Sequence, residues 1–331
     1  MPVDDEQTRV ADLSENDLLG RIFPLLPTGP QTLLGPGDDA AVLAAPDGRM
    51  VVSLDVLVEN RHFRREWSTA ADIGWRAAMQ NLADIAAMGA RPSALVVGLV
   101  LPPDLPVGWV TGLARGMAAA CAPHDVAVVG GDLSSGDEVV VAVTVHGDLQ
   151  GRKPVLRSGA VAGDVVALAG VQGRSAAGME LLRSGHPRAH LDLVDAYRRP
   201  RPALAAGPAA ADAGATAMLD VSDGLLRDAE RLALASDVVI DLLDPTESFR
   251  ADLTVLDGAA RLLGTDPLEW VLGGGEDHGL LATFPADAVL PAPFRPVGHV
   301  RSAAGSERPG LVLVDGSVPS VTMRGWDHFR A

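Results

Sequence analysis

The chain has 331 residues, enough for about two domains, and 47% of them are hydrophobic, which excludes a disordered polymer. A formal net charge of −16 would repel a phosphate backbone, and 4% aromatics leave few stacking platforms, so nucleic-acid binding is disfavoured. The single cysteine, Cys121, allows no intrachain disulfide, no apolar run reaches the ~18 residues of a membrane span, and the acidic N-terminal stretch lacks a signal peptide's apolar region, so a cytoplasmic location is expected.

Ser14 to Leu26 opens with a candidate cap and carries apolar residues at helical spacing, which predicts a short amphipathic helix. "LGPGDDAAVL" then sets two adjacent carboxylates, Asp38 and Asp39, after Gly-Pro-Gly. Like charges side by side repel, so either both are hydrated in an exposed turn or a bound cation offsets the repulsion. Arg49 to Asn60 alternates as a strand, with Val52, Leu54, Val56 and Val58 on one face and Ser53, Asp55 and Leu57 on the other. The apolar set is expected to enter the core. A helix follows from about Thr69 to Met88, with Thr69 and Asp72 as a capping box and Gly89 past its end. Trp75, Met79, Leu82 and Ala86 form its core stripe; Asp84 lies opposite, near Gln80, Asn81 and Met88, facing either solvent or a cleft.

A strand (94–101), a helix (about 106–122) and a strand "VAVVGGDLSSG" come next. Val139 to Val145 is read as a strand antiparallel to the last, across "SSGDE". The pattern turns loop-like near Gly147 to Pro154, which divides the chain into domains 1–148 and 149–331. The second half repeats strand, Gly-rich turn and helix. "GDVVALAGVQGRSAAGMELL" can cradle an anion at its helix N-terminus, although its spacing matches neither a Walker A loop nor a Rossmann fingerprint. In "GATAMLDVSDGLLRDAERLALAS" Ser222 is the natural N-cap, and "WVLGGGEDHGLLATF" is a triple-Gly turn, two acids and a strand.

Acids therefore recur at strand ends and beside glycines: Asp38, Asp39, Asp55, Asp84, Asp132, Asp220, Asp223, Glu276 and Asp277. Open α/β sheets hold their ligands at the carboxyl ends of strands. Almost all donors are oxygen, with no Cys pair and no His-x-x-x-His, which selects Mg²⁺ over zinc or copper. No nucleophile–base signature is present. Phosphoryl transfer onto an acceptor that is already a phosphate needs little base chemistry, because a phosphate monoester with a second pKa near ~6 is largely deprotonated at neutral pH.

The ordered set "GPGDDAAVL", "SLDVLVENRHF", "NLADIAAMGARP", "GGDLSSG", "RSGAVAGD", "LDVSDGLLRD", "GGGEDHGL" and "GWDHF" resembles the thiamine-monophosphate kinase family, of the aminoimidazole-ribonucleotide-synthetase-like ATP-binding superfamily. The resemblance implies a two-domain α/β fold of the α+β type, with mixed and antiparallel sheets and helices packed on them. The first domain would bind Mg²⁺ and the ATP phosphates and build a homodimer; the second would complete the nucleotide and substrate site. It implies transfer from ATP to thiamine monophosphate, direct and in line, with several Mg²⁺ ions. Asp39, Asp55, Asp84, Asp132, Asp220 and Asp223 would be Mg²⁺ ligands, assisted by Ser53 and the backbone at Leu54. Gly131, Asp132, Arg157 and Ser222 would contact ATP, and His62, Glu276 and Trp326 would line the thiamine phosphate pocket. Three positions depart from the family pattern: Leu54 stands where Thr is common, and His278 and Trp326 where Tyr is common. Two alternatives stay open: another ATP-using enzyme of the superfamily, or a non-catalytic Mg²⁺- or nucleotide-binding regulator.

Overall fold

The computed structural model describes residues 6–36, 40–304, 307–322 and 325. Two compact units emerge, Met1–Ile85 with Pro92–Gln150, and Ala86–Arg91 with Gly151–Ala331.

In the first unit the elements are α1 (Glu15–Ile22), β1 (Thr32–Leu34), β2 (Val42–Leu43), β3 (Val51–Val58), α2 (Ala70–Ala87), β4 (Arg91–Leu101), α3 (Val107–Cys121), β5 (Ala127–Ser135) and β6 (Val140–Asp148). Ser14 caps α1 by accepting the Asp17 amide at 3.2 Å, and Leu18 and Ile22, one turn apart, are its buried residues. β1 and β2 pair as a small antiparallel ribbon. The main sheet runs β3-β6-β4-β5. β4 and β5 are parallel, with α3 as the crossover, while β3 and β6 are antiparallel through eight register pairs from Val51–Gly147 to Val58–Val140.

The hairpin expected between β5 and β6 does not form. β6 instead lies between β3 and β4, and β5 is left at the edge. The long register with β3 explains the choice, since it buries Val139, Val141, Val143 and Val145 completely, at roughly 2 kcal/mol per side chain. A larger correction concerns β3. Its alternation is as read, but the faces are reversed: Val52 and Leu54 are 55% and 56% exposed and Val56 39%, while Ser53, Asp55 and Leu57 turn inward.

α2 explains the reversal. Thr69 and Asp72 close the expected capping box, the Asp72 carboxylate accepting the Thr69 amide at 2.9 Å and the Thr69 hydroxyl accepting the Asp72 amide at 3.2 Å. Beyond the expected stripe, Ala77, Ala78, Ala83 and Ile85 are also fully buried, and so is Asn81. The helix is enclosed nearly all round, and its polar side needs polar partners, which β3 supplies. α2 and α3 cross at backbone contact through two reciprocal glycines. A Cβ on Gly74 would lie 2.0 Å from the Leu113 carbonyl oxygen, and one on Gly116 would lie 1.9 Å from that of Ala71.

The second unit contains β7 (Val165–Ala169), α4 (Arg174–Arg183), α5 (Leu191–Arg198), α6 (Ala206–Asp212), β8 (Ala217–Val221), α7 (Leu225–Ala235), β9 (Val239–Leu242), α8 (Pro245–Ser248), α9 (Arg250–Leu263), α10 (Pro267–Gly273), β10 (Gly279–Phe284), β11 (Arg295–Arg301) and β12 (Val312–Val314). Its sheet runs β12-β9-β11-β7-β10-β8. β10 is antiparallel to β7 and β8, β11 to β7 and β9, and only β12 with β9 is parallel. β8 and β10 are buried at every position, so both faces are covered, as their unbroken apolar runs require. α7 packs Leu225, Leu226, Ala229 and Leu232 against this sheet.

Candidate functional site

In the first unit β3 and α2 bring five predicted or neighbouring polar residues together. The Ser53 hydroxyl donates to Asp84 Oδ2 at 2.8 Å. Gln80 Nε2 donates to Asp55 Oδ2 at 3.2 Å, and the Asp55 amide donates to Asn81 Oδ1 at 3.2 Å. Asn81 is in turn fixed by donating to the Ala77 carbonyl at 2.8 Å. Asp84 therefore faces the strand rather than bulk water. Leu54 points to the opposite face and is exposed, so its backbone alone can serve this inner side.

A cavity of about 990 Å³ opens in the same unit against α1, α3 and the edge strand β5. Its lining is mostly apolar, including Leu19, Val97, Leu113 and Met117, and it reaches Gly131 and Asp132. His146 also lines it; burial lowers its pKa, so the ring is neutral at pH 7, and its Nδ1 has no hydrogen-bond partner among the described residues. Gly131 has a local cause besides ligand approach. It pairs with Val97, and a Cβ there would lie 2.0 Å from the Val97 carbonyl oxygen. His62 closes the turn after β3: its Nδ1 accepts the Val58 amide at 3.0 Å, which puts the ring proton of the neutral form on Nε2.

In the second unit predicted site residues gather where β8 ends and β10 begins. Asp220 and Leu280 are register partners, as are Val221 and Gly279. The turn before β10 is stitched to the end of β8 by the Glu276 amide donating to the Ser222 carbonyl at 2.9 Å and the His278 amide to that of Val221 at 3.2 Å. Gly275 makes this approach feasible, since a Cβ there would lie 2.1 Å from the Ser222 oxygen. Glu276 and His278 both adopt left-handed backbone, φ 70° and 54°, a conformation that strains residues bearing a Cβ. His278 is buried, with Nδ1 3.0 Å from Asp220 Oδ2 and Nε2 3.8 Å from Glu276 Oε2. Burial opposes its charge, but the hydrogen bond to Asp220 and the attraction of the Asp220 and Glu276 carboxylates outweigh it and push the pKa up to about 10.

Ser222 is not the N-cap of α7. Gly224 holds that position, and Asp228 from the first turn accepts the amides of Asp223 and Gly224 at 2.9 and 3.1 Å. Burial, and then repulsion from Asp220, raises the Asp228 pKa to about 6. Arg231 joins the group, with Nη2 2.6 Å from Asp223 Oδ2 and Nη1 2.7 Å from Asp228 Oδ1. The expected anion cradle at α4 is also corrected. Buried Asp277 accepts the Ser175 amide at 2.9 Å, so the chain's own carboxylate fills that helix end. Burial raises Asp277 to about 7 against the hydrogen bonds from Ser175 and Gly173.

Arg157 is exposed and held through its carbonyl, which accepts from Ser236 Oγ at 2.8 Å. Asp39 and Trp326 lie outside the described residues. Asp228 and Arg231 were missed by sequence reasoning; their only signal was helical spacing after "SDG", which any exposed helix shares. Among the described residues no three His, Cys, Asp or Glu side chains converge as a complete metal site. The donors come as small groups of side-chain oxygens, the hard chemistry that Mg²⁺ takes when water and phosphate complete its shell. Ser53, Asp55 and Asp84 fit that description.

Comparison with known proteins agrees with the family resemblance of the sequence motifs. Positions 37–149 match the family model for the AIR synthase related protein, N-terminal domain. The thiamine-monophosphate kinase of Mycobacterium tuberculosis is 48% identical over 300 residues, covering 90% of this chain and 86% of that one. The enzyme of the same name from Corynebacterium glutamicum is 45% identical over 300 residues, covering 88% of each. A solved structure of AaThiL complexed with AMPPCP and TMP is 32% identical, with a TM-score of 0.74 over 85% of this chain and 87% of that one. With this identity extending along nearly its whole length, the chain belongs to the thiamine-monophosphate kinase family.

Proposed function

We propose that this protein transfers the γ-phosphoryl group of ATP to thiamine monophosphate, giving thiamine diphosphate, directly and in line. The observation that carries the reading is the reversed β3 strand, which turns Ser53 and Asp55 inward on the side where Asp84 lies. Both carboxylates are half-buried and held by neutral donors, Ser53 and Gln80, an oxygen-rich setting that suits a hard cation. Mg²⁺ would be held by Asp55 and Asp84 with Ser53, by Asp39 and Asp132, and by Asp220 and Asp223. Such ions neutralise phosphate charge and align the reacting oxygens. The chain's own contribution is orientation. Asn81 fixes the backbone at Asp55, Ser53 fixes the Asp84 carboxylate, and Arg231 and Asp228 fix Asp223 and the start of α7. The apolar cavity beside Gly131, with the spare nitrogen of His146, suits a heteroaromatic base such as adenine. Arg157 and Ser222 would then serve the phosphates, and His62, Glu276 and Trp326 the thiamine side.

We also propose a homodimer and a cytoplasmic location. The dimer reading rests on the exposed apolar row Val52, Leu54 and Val56, which a second copy can cover. No described helix is long and apolar enough to cross a membrane. The deciding experiment is ADP release with thiamine monophosphate, thiamine and formylglycinamidine ribonucleotide as separate acceptors. Release with the first alone is expected. Release only with the ribonucleotide, or nucleotide binding without release, would overturn the assignment.

A further inference from the structure

His278 has no role in the account above, although it is one of the few buried ionisable side chains of the second unit. Its surroundings are unusual. Nδ1 faces Asp220, and since a carboxylate only accepts, the ring donates from this atom. Nε2 is buried and has no hydrogen-bond partner among the described residues, and Glu276 Oε2 is 3.8 Å away. That gap exceeds hydrogen-bond length by under ~1 Å. The backbone holds the ring there by force of geometry: left-handed φ at both Glu276 and His278, and amide bonds to Ser222 and Val221.

We infer that His278 is a positioning residue that ties Asp220 to Glu276, so that the cation side and the thiamine side of the site are set together. The inference rests on the reading of Asp220 as a Mg²⁺ ligand and Glu276 as a contact of thiamine phosphate. One nitrogen commits Asp220 Oδ2 and thereby fixes the orientation in which the carboxylate meets a cation, as outer hydrogen bonds do for metal ligands generally. The other nitrogen is placed to take up Glu276 when substrate draws that side chain inward. Any such link is reciprocal: substrate tightens cation binding, and the cation tightens substrate binding by the same factor.

Two substitutions separate the two nitrogens. His278→Asn keeps a donor near the position of Nδ1, tolerates left-handed backbone, and cannot reach Glu276. His278→Gln keeps a donor near Nε2 and loses the one at Nδ1. The measurement is Mn²⁺ affinity by calorimetry with a nonhydrolysable ATP analogue bound, with and without thiamine monophosphate, beside kcat and KM. In the parent, substrate should tighten Mn²⁺ by about five-fold or more. H278N should keep the affinity measured without substrate, lose that enhancement, and raise KM more than it lowers kcat. H278Q should weaken Mn²⁺ about ten-fold or more in both states. Parental enhancement in H278N, or parental Mn²⁺ affinity in H278Q, would overturn the tie. Parental Mn²⁺ affinity in Asp220→Asn would instead refute the assignment of Asp220 as a ligand, and the tie with it.

Discussion

Replacing Gly116 with alanine tests the packing that carries α2. In a free helix this change stabilises by up to about 1 kcal/mol, because alanine has the higher helix propensity. Here the new Cβ would lie 1.9 Å from the Ala71 carbonyl oxygen, against a floor of 3.0 Å for real contacts, and the obstacle is backbone that cannot rotate aside. α2 and α3 must part by more than about 1 Å. Overpacking of a tight core costs typically 1–3 kcal/mol, and backbone-to-backbone contact belongs at the upper end. The net loss should be about 2 kcal/mol, a melting temperature lower by roughly 4–8 °C. Activity should fall too, since α2 carries Asn81 and Asp84. Gly20 on α1, exposed and with nothing within 4 Å of its Cβ position, is the control: Gly20→Ala should melt at or slightly above the parent. Thermal unfolding of the three proteins decides the matter. G116A melting at or above the parent would refute the reading of this crossing.

Three further outcomes are expected. Asp84→Asn should lower turnover by orders of magnitude with a melting temperature close to the parent's, and Ser53→Ala should lose less; near-parental ADP release in D84N would remove Asp84 from the site. For Asp277 the folded pKa of about 7 lies above the ordinary carboxylate value of roughly 3.9. Its contribution is therefore complete below about pH 4 and is lost as pH rises through 7. Asp277→Asn should gain melting temperature relative to the parent at pH 8 compared with pH 5, and an equal difference at both values would contradict this. Val52→Glu combined with Val56→Glu should sediment as a monomer where the parent sediments as a dimer; a monomeric parent would remove the dimer reading.

Much of the fold was legible because alternation and helical spacing are local. β3, α2 and the capping box at Thr69 follow from a few neighbouring residues each. What local pattern lacks is the partner. Alternation in β3 separates Val52, Leu54 and Val56 from Ser53, Asp55 and Leu57, yet the inward face is decided by Gln80, Asn81 and Asp84, some 26–31 residues away in the two bonds that reach Asn81 and Asp84. The short link between β5 and β6 reads as a hairpin, and only the long register with β3 overrules it. The site shows the same division. Its acids stand out beside glycines, whereas the groups that steady them, Arg231, Asp228 and His278, become visible only once β8, α7 and β10 are assembled.

The filled end of α4 has a wider meaning for how such a protein recognises its substrates. Many nucleotide-binding architectures leave a helix start vacant and let the triphosphate settle on bare amides. Here Asp277 has claimed those amides from within. With the proposed Mg²⁺ ligands in its path, a polyanion should dock far better in the company of dissolved divalent ions than alone. Affinity for the nucleotide would then rise and fall with the free ion level of the cell, making that level a governor of the reaction without any dedicated regulatory domain.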